Sequence, residues 1–155
     1  SIKNIEYPDT LIHPFKIAKG DEMQAIFNSD LNIPVFLRSL RNNILPLKIR
    51  IGIGVGNLDN EKEIVSWESS GKAFCYSEEA LEKIDRDRKF KTMFKSGSKI
   101  DELINTIFLL LDTIEFNWSE AEWNAVNNDE FSQSAHLEEI KYAEKQLNLL
   151  IKNNL

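Results

Sequence analysis

The segment 15–27 constrains the fold most tightly, because its pattern is typical of a β-hairpin. Apolar residues alternate with lysines on its first arm and recur at every second position on its second arm. Side chains at alternate positions share one face of a strand, so this pattern predicts two antiparallel strands. Gly20, Asp21 and Glu22 separate the arms, and glycine readily adopts the positive φ that tight hairpin turns require. The tip therefore carries two adjacent carboxylates.

Two interpretations of this tip remain open. Mg²⁺ takes oxygen ligands and is commonly held by one or two carboxylates together with substrate phosphates. Asp21 and Glu22 are therefore candidate metal ligands, and Gly20 would leave room for a ligand to approach. The same three residues are also ordinary turn formers in contact with water. Two-metal phosphoryl chemistry needs carboxylates from a second element as well.

The remaining patterns predict an α+β body followed by helices. We expect an antiparallel-rich sheet from segments near 14–19, 23–28, 47–54 and 90–96, with helices near 32–45 and 72–86 covering one face. A further short strand is expected at 63–67. A break near Gly97 divides a body, residues 1–97, from a helical tail, residues 98–155.

The tail carries clear helix-start signals. Ser119 and Glu122 have the spacing of a capping box, and Trp118 and Trp123 that of the accompanying hydrophobic staple. Ser98 and Asp101 look like a second cap pair. We expect the apolar faces of the tail helices to be buried, in particular Trp118, Trp123, Leu137, Ile140 and Leu147.

A glycine-rich strand is the other candidate for ligand contact. Gly52, Gly54 and Gly56 alternate with apolar residues, but their spacing differs from that of a dinucleotide-binding turn and no helix opens directly behind them. Such glycines allow a helix or a ligand to approach one face of a strand closely. Lys19 and Arg50, from two predicted strands, are the candidate phosphate contacts.

The composition of the chain limits the kinds of partner that it is expected to bind. The net charge of −6 argues against a nucleic-acid binder, since phosphate contacts need clustered cations. The longest apolar run, 107–111, is too short to cross a membrane. A lone cysteine, Cys75, allows no internal disulfide and favours a cytoplasmic location. The expected partner is another protein or a second copy of the chain.

Several short motifs, taken in order, resemble the SatD-like proteins of bacteria: Lys19-Gly20-Asp21-Glu22-Met23-Gln24, Arg50 to Gly56, Gly71 to Tyr76 and Trp118-Ser119. The core of that family is in turn similar to the ferredoxin-like, palm-type fold of class III nucleotidyl cyclases and diguanylate cyclases. The resemblance implies that the Gly20–Glu22 hairpin and an aspartate on a first strand would hold two metal ions. It also implies a tail similar to a helix-turn-helix.

The chain departs from this family pattern in two places. No apolar, aspartate-bearing first strand precedes Phe15, so we expect either that residues upstream of Ser1 are missing from this sequence or that another segment takes the place of this strand. The helix-turn-helix is degenerate, because only Ser132-Gln133-Ser134 matches its recognition segment and acidic residues follow: Glu138, Glu139 and Glu144.

Three functional hypotheses follow. The favoured one is a non-catalytic regulatory or interaction module on a cyclase-like scaffold, with no catalytic residues and no certain cofactor. The second is a metal-dependent nucleotidyl-transfer enzyme that uses Mg²⁺ at Asp21 and Glu22 with an upstream carboxylate. The third is a DNA-binding regulator that acts through the tail. The sequence names no substrate, pathway or oligomeric state.

Overall fold

The structure is a computed structural model that describes residues 9–58, 71–127 and 135–155. It is an α+β fold with helices at the C-terminal end, as the sequence predicts. The elements in chain order are β1 (Leu11–Lys19), β2 (Glu22–Phe27), α1 (Ile33–Asn43), β3 (Ile51–Gly54), α2 (Lys72–Arg86), β4 (Thr92–Lys95), α3 (Asp101–Glu115), α4 (Glu120–Asn127) and α5 (Ala135–Lys152). The strand expected at 63–67 and the segment 132–134 lie outside the described residues.

The predicted hairpin is confirmed. Strands β1 and β2 pair antiparallel, with Ile17 opposite Met23 and Lys19 opposite Glu22. Gly20 forms the turn with a φ of 60°. The ring centroids of Phe27 on β2 and Phe36 on α1 are 4.8 Å apart, so this aromatic contact fixes the hairpin to the first helix.

The expected arrangement of the strands is wrong in one respect. Among the described residues, the four strands form two separate two-stranded sheets, and β3 pairs with β4 in parallel. A parallel pair needs a long connection that returns the chain to the starting end, and α2 lies in that connection. The four strands therefore do not join into one antiparallel-rich sheet.

The β3–β4 pair lies between two apolar clusters. Met93 packs with Ala80 and Ile84 of α2, whereas the next residue, Phe94, belongs to a larger cluster with Phe108 and Leu111 of α3. Burial on both faces is usual for parallel strands, and it explains why β4 is buried at three successive positions.

The larger cluster joins α1, β4, α3 and α5. It combines Leu37 of α1 and Phe94 of β4 with residues of α3 and α5, namely Ile104, Phe108, Leu111, Ile140, Leu147 and Ile151. The body and the tail therefore share one core. None of the described helices has the length and apolar character needed to cross a membrane.

The start of α4 has the predicted capping box. The backbone N–H of Ser119 donates to Glu122 Oε2 at 2.7 Å, and the backbone N–H of Glu122 donates to Ser119 Oγ at 3.3 Å. The Trp118 and Trp123 rings meet edge to face with centroids 4.9 Å apart. Trp123 is buried and Trp118 half-buried.

The other expectations for the tail are partly confirmed. Ile140 and Leu147 are buried as predicted, and the side chain of Leu137 lies outside the described residues. The prediction that Ser98 and Asp101 form a cap pair is wrong, because no side chain caps the start of α3. Asp101 instead accepts hydrogen bonds from the backbone N–H groups of Ser96 and Gly97, at 2.9 and 3.0 Å, and so stabilises the turn before the helix.

Candidate functional site

The tip of the hairpin presents its two carboxylates to solvent. Asp21 and Glu22 are exposed, and a Cβ built on Gly20 would have no atom within 4 Å. Within the part of the chain that the structure describes, no three His, Cys, Asp or Glu side chains come together to hold a metal ion. The tip by itself offers two carboxylates, which suits one weakly held Mg²⁺ that keeps most of its waters. It does not supply the ligands of a two-metal centre.

The glycines of β3 lie directly against α2. A Cβ on Gly54 would be 1.9 Å from the carbonyl oxygen of Ala73, and one on Gly52 would be 2.5 Å from that of Ser77. A Cβ on Gly56 would be 2.8 Å from Lys72 Cβ. Since no real side chain tolerates such distances, these glycines allow the helix backbone to pack on the strand. The face that was a candidate for ligand approach holds a helix.

The candidate phosphate contacts belong to different parts of the molecule. Lys19 is exposed at the end of β1, whereas Arg50 precedes β3 and forms an ion pair with Asp85 of α2. Both partners of that pair are more than half exposed. The sequence therefore identified two groups of residues, on the hairpin and around β3, which the structure places on separate sheets.

Sequence reasoning missed a buried ion-pair cluster, which comprises Arg38, Arg41, Thr92, Asp112, Glu115 and Glu144. Arg41 of α1 is at its centre. One Nη of Arg41 donates to Glu115 Oε2 at 2.5 Å, and the other donates to Asp112 Oδ1 at 2.6 Å and to Thr92 Oγ1 at 2.5 Å. The guanidinium also lies over the Phe116 ring, 5.4 Å from its centroid.

The remaining contacts extend the buried ion-pair cluster to β4 and α5. Asp112 Oδ2 accepts a hydrogen bond from the backbone N–H of Thr92 at 2.7 Å. Arg38 donates through Nε to Glu144 Oε1 at 2.7 Å and through Nη2 to Oε2 at 3.3 Å, in a two-pronged pair. The cluster thus links α1, β4, α3 and α5 at the centre of the fold.

The charges of this cluster do not balance. Three carboxylates face two guanidinium groups, and the ion-paired side chains are at most 11% exposed. Burial raises the pKa of Glu115, and the Arg41 guanidinium opposes that rise only in part. Because these groups are withdrawn from water, the buried ion-pair cluster holds elements together and does not present charge to a ligand.

A sequence signal for this cluster does exist. Arg38 and Arg41 are three residues apart on α1, next to the buried Leu37 and Leu40, and Asp112 and Glu115 have the same spacing on α3. Charged residues inside an apolar stripe, at matching intervals on two helices, are a sign of buried pairs. The pattern cannot show which helix partners which.

A second surface stands out on α3, where we define the α3 outer face as Leu103, Ile107, Leu110 and Ile114. Leu110 is 61% exposed, Leu103 52% and Ile114 42%, although the adjoining side of the same helix lies in the core. Ile107 is half-buried and also packs against that core. The four residues are spaced by four, three and four positions. This is the spacing of a seam between two helices.

Together these features define a small α+β protein in which helices from the C-terminal part complete the core of the body. Residues 2–152 match the model of the SatD family. The chain belongs to the SatD family. Neither the curated proteins nor the solved structures include a significant match to it.

Proposed function

We propose that this SatD family protein is a non-catalytic regulatory or interaction module on a nucleotidyl-cyclase-like scaffold. The α3 outer face carries the proposal, because three of its four apolar side chains, those of Leu103, Leu110 and Ile114, are exposed to water, as is typical of a protein-binding surface. The apolar stripe of α3 is wider than its own core requires, and its outer part, at Leu103, Leu110 and Ile114, stays exposed.

The surroundings of β3 support the same proposal. Ligand binding to the glycine face would require α2 to leave it, since helix backbone lies within 2.5 Å of the positions that Cβ atoms on Gly52 and Gly54 would take. Arg50 already has a carboxylate partner in Asp85. Both features of β3 thus serve the packing of the molecule.

One observation favours a second candidate function, a metal-dependent nucleotidyl-transfer enzyme. Asp21 and Glu22 are exposed side by side at a tip that bulky ligands can reach. When bound there, Mg²⁺ would neutralise phosphate charge. In such an enzyme Asp21 and Glu22 would hold the ion, and Lys19 on the same hairpin would contribute a further positive charge.

A turnover assay separates the two functions. The protein would be incubated with ATP or GTP and Mn²⁺, and cyclic or dinucleotide products would be measured. We expect no product above the level of a blank without protein. Turnover that is lost in Asp21→Ala and kept in Asp30→Ala, an exposed carboxylate away from the tip, would refute the non-catalytic proposal.

A further inference from the structure

We infer that the α3 outer face binds the same face of a second copy of this chain, in an antiparallel, two-fold symmetric helix pair. This inference rests on the proposed function and names the partner of the proposed surface. The spacing of the apolar residues, the charges around them and the hydrogen bonds of the neighbouring polar side chains support this pairing.

The spacing is self-complementary. A two-fold axis that passes between residues 108 and 109 brings Leu103 opposite Ile114 of the second copy, and Ile107 opposite Leu110. Every apolar residue of the α3 outer face then meets an apolar residue. Such a contact, in which each surface binds its own copy, closes on itself and produces a dimer and not a fibre.

The charge distribution favours a second copy of this acidic chain. Between Leu103 and Ile114 the only charged residue is Asp112, which is buried and paired with Arg41. Two chains of net charge −6 therefore meet here without opposing carboxylates. A basic partner would find no acidic residue within this seam.

The ends of the helix are complementary in the antiparallel arrangement. The last turn of α3 carries no basic residue to offset the partial negative charge of its carbonyl groups. Lys99 is exposed just before the start of α3. Antiparallel pairing places Lys99 of each copy near the C-terminal end of the other copy's α3, where a cation is stabilising.

The polar residues beside the seam can be buried at little cost. The hydroxyl groups of Thr106 and Thr113 donate to the carbonyl oxygens of Glu102 and Leu109, at 2.9 and 2.8 Å. Their donor groups are therefore satisfied within the helix, and covering them leaves no unpaired donor.

The pairing should be weak and reversible. Leu103 and Ile114 are about 16 Å apart along the helix at about 1.5 Å per residue. The surface area that such a seam buries is small compared with the roughly 800 Å² per partner of a standard stable interface. We therefore expect a dissociation constant in the micromolar range, so that the dimer forms at high concentration and dissociates on dilution.

Sedimentation equilibrium of the whole chain over a concentration series up to roughly 100 times the expected dissociation constant tests the inference. We expect a shift from monomer to dimer mass with increasing concentration. Leu110→Lys should raise the dissociation constant about tenfold or more. Leu149→Lys, the same change at an exposed position of α5, should leave it unchanged. Far-UV circular dichroism would confirm that both variants are folded.

A charge pair tests the antiparallel register. Leu103→Lys alone should weaken the dimer, and adding Ile114→Glu in the same chain should restore it, because each new cation then meets a carboxylate of the other copy. A protein that stays monomeric throughout, or a dimer indifferent to Leu110→Lys, would overturn the inference. The turnover assay would still test the proposed non-catalytic function, because its result does not depend on whether the protein forms a dimer.

Discussion

The Nε atom of Arg38 lies 2.7 Å from Oε1 of Glu144, although the two residues are 106 positions apart in the chain. Both side chains are buried, and two hydrogen bonds join them. This pair ties α1 to α5. Its energetic role follows from its surroundings, since a charge buried without its partner is costly.

Removing one member of this pair should strongly destabilise the fold. Glu144→Ala leaves the Arg38 guanidinium buried without a carboxylate, and we expect the free energy of unfolding to fall by about 3–5 kcal/mol. Urea denaturation measures this change. Glu82→Ala, which breaks the exposed pair with Arg86, is the control and should cost about 0.5 kcal/mol or less. Equal effects in the two variants would contradict the prediction.

The pH dependence of stability should reveal the raised pKa of Glu115. Burial lifts this pKa above its ordinary value of 4.5, so the folded state holds the proton more tightly than the unfolded chain does. The resulting stabilisation is complete below pH 4.5 and is lost as the pH rises through the folded-state pKa.

Glu115→Gln removes this titration while keeping a side-chain oxygen for Arg41. We therefore expect the wild type to lose stability relative to Glu115→Gln as the pH rises above 4.5. Unfolding free energies of both proteins over a series of pH values would show it. The exposed Glu102→Gln serves as the control. If the wild type instead became more stable relative to Glu115→Gln over the same pH interval, the predicted direction of the pH dependence would be wrong.

Trp123 should be one of the most costly side chains to truncate in the tail. It is 6% exposed and packs edge to face on Trp118. Trp123→Ala should lower the free energy of unfolding by about 3–5 kcal/mol, because a large buried ring is replaced by a cavity. Thermal and urea denaturation measure this loss. An unchanged midpoint would show that the hydrophobic staple contributes nothing to the core.

The close packing of α2 on β3 makes Gly54 intolerant of any side chain. Gly54→Ala would place a methyl group 1.9 Å from the Ala73 carbonyl oxygen, and helix backbone cannot yield as a flexible side chain can. We expect a loss of about 1–3 kcal/mol or more. Gly20→Asn is the matched control, since Asn tolerates a φ near +60° and the hairpin tip is open. Similar denaturation midpoints for the two variants would refute this account of the glycine strand.

Local patterns predicted local structure well. The hairpin followed from alternating residues around Gly20, and the capping box followed from the spacing of Ser119 and Glu122, because each depends on neighbours within a few positions. The parallel pairing of β3 with β4 could not be inferred in the same way. Each strand has four residues, and such short apolar runs do not specify a partner or a direction.

The buried charges were missed for a related reason. Arginines on an amphipathic helix normally face solvent, so the spacing of Arg38 and Arg41 beside apolar residues was not by itself enough to predict their burial. These arginines are buried because their hydrogen-bond acceptors, which lie 51 to 106 positions further along the chain, are in the core. For the candidate site, the sequence identified the hairpin tip as an exposed turn. The tertiary packing alone revealed that α2 fills the glycine face.

The wide separation of these partners has a consequence for the order in which the molecule can form. When α1 is synthesised, none of the described acceptors for Arg38 and Arg41 yet exists, and Glu144 is made 106 residues after Arg38. The face of α1 that carries the two arginines must remain hydrated until then. The core therefore closes only after α5, which carries Glu144, has been made. Contacts between such distant residues also slow the search for the native state, because a long loop must close before the ion pairs can stabilise it.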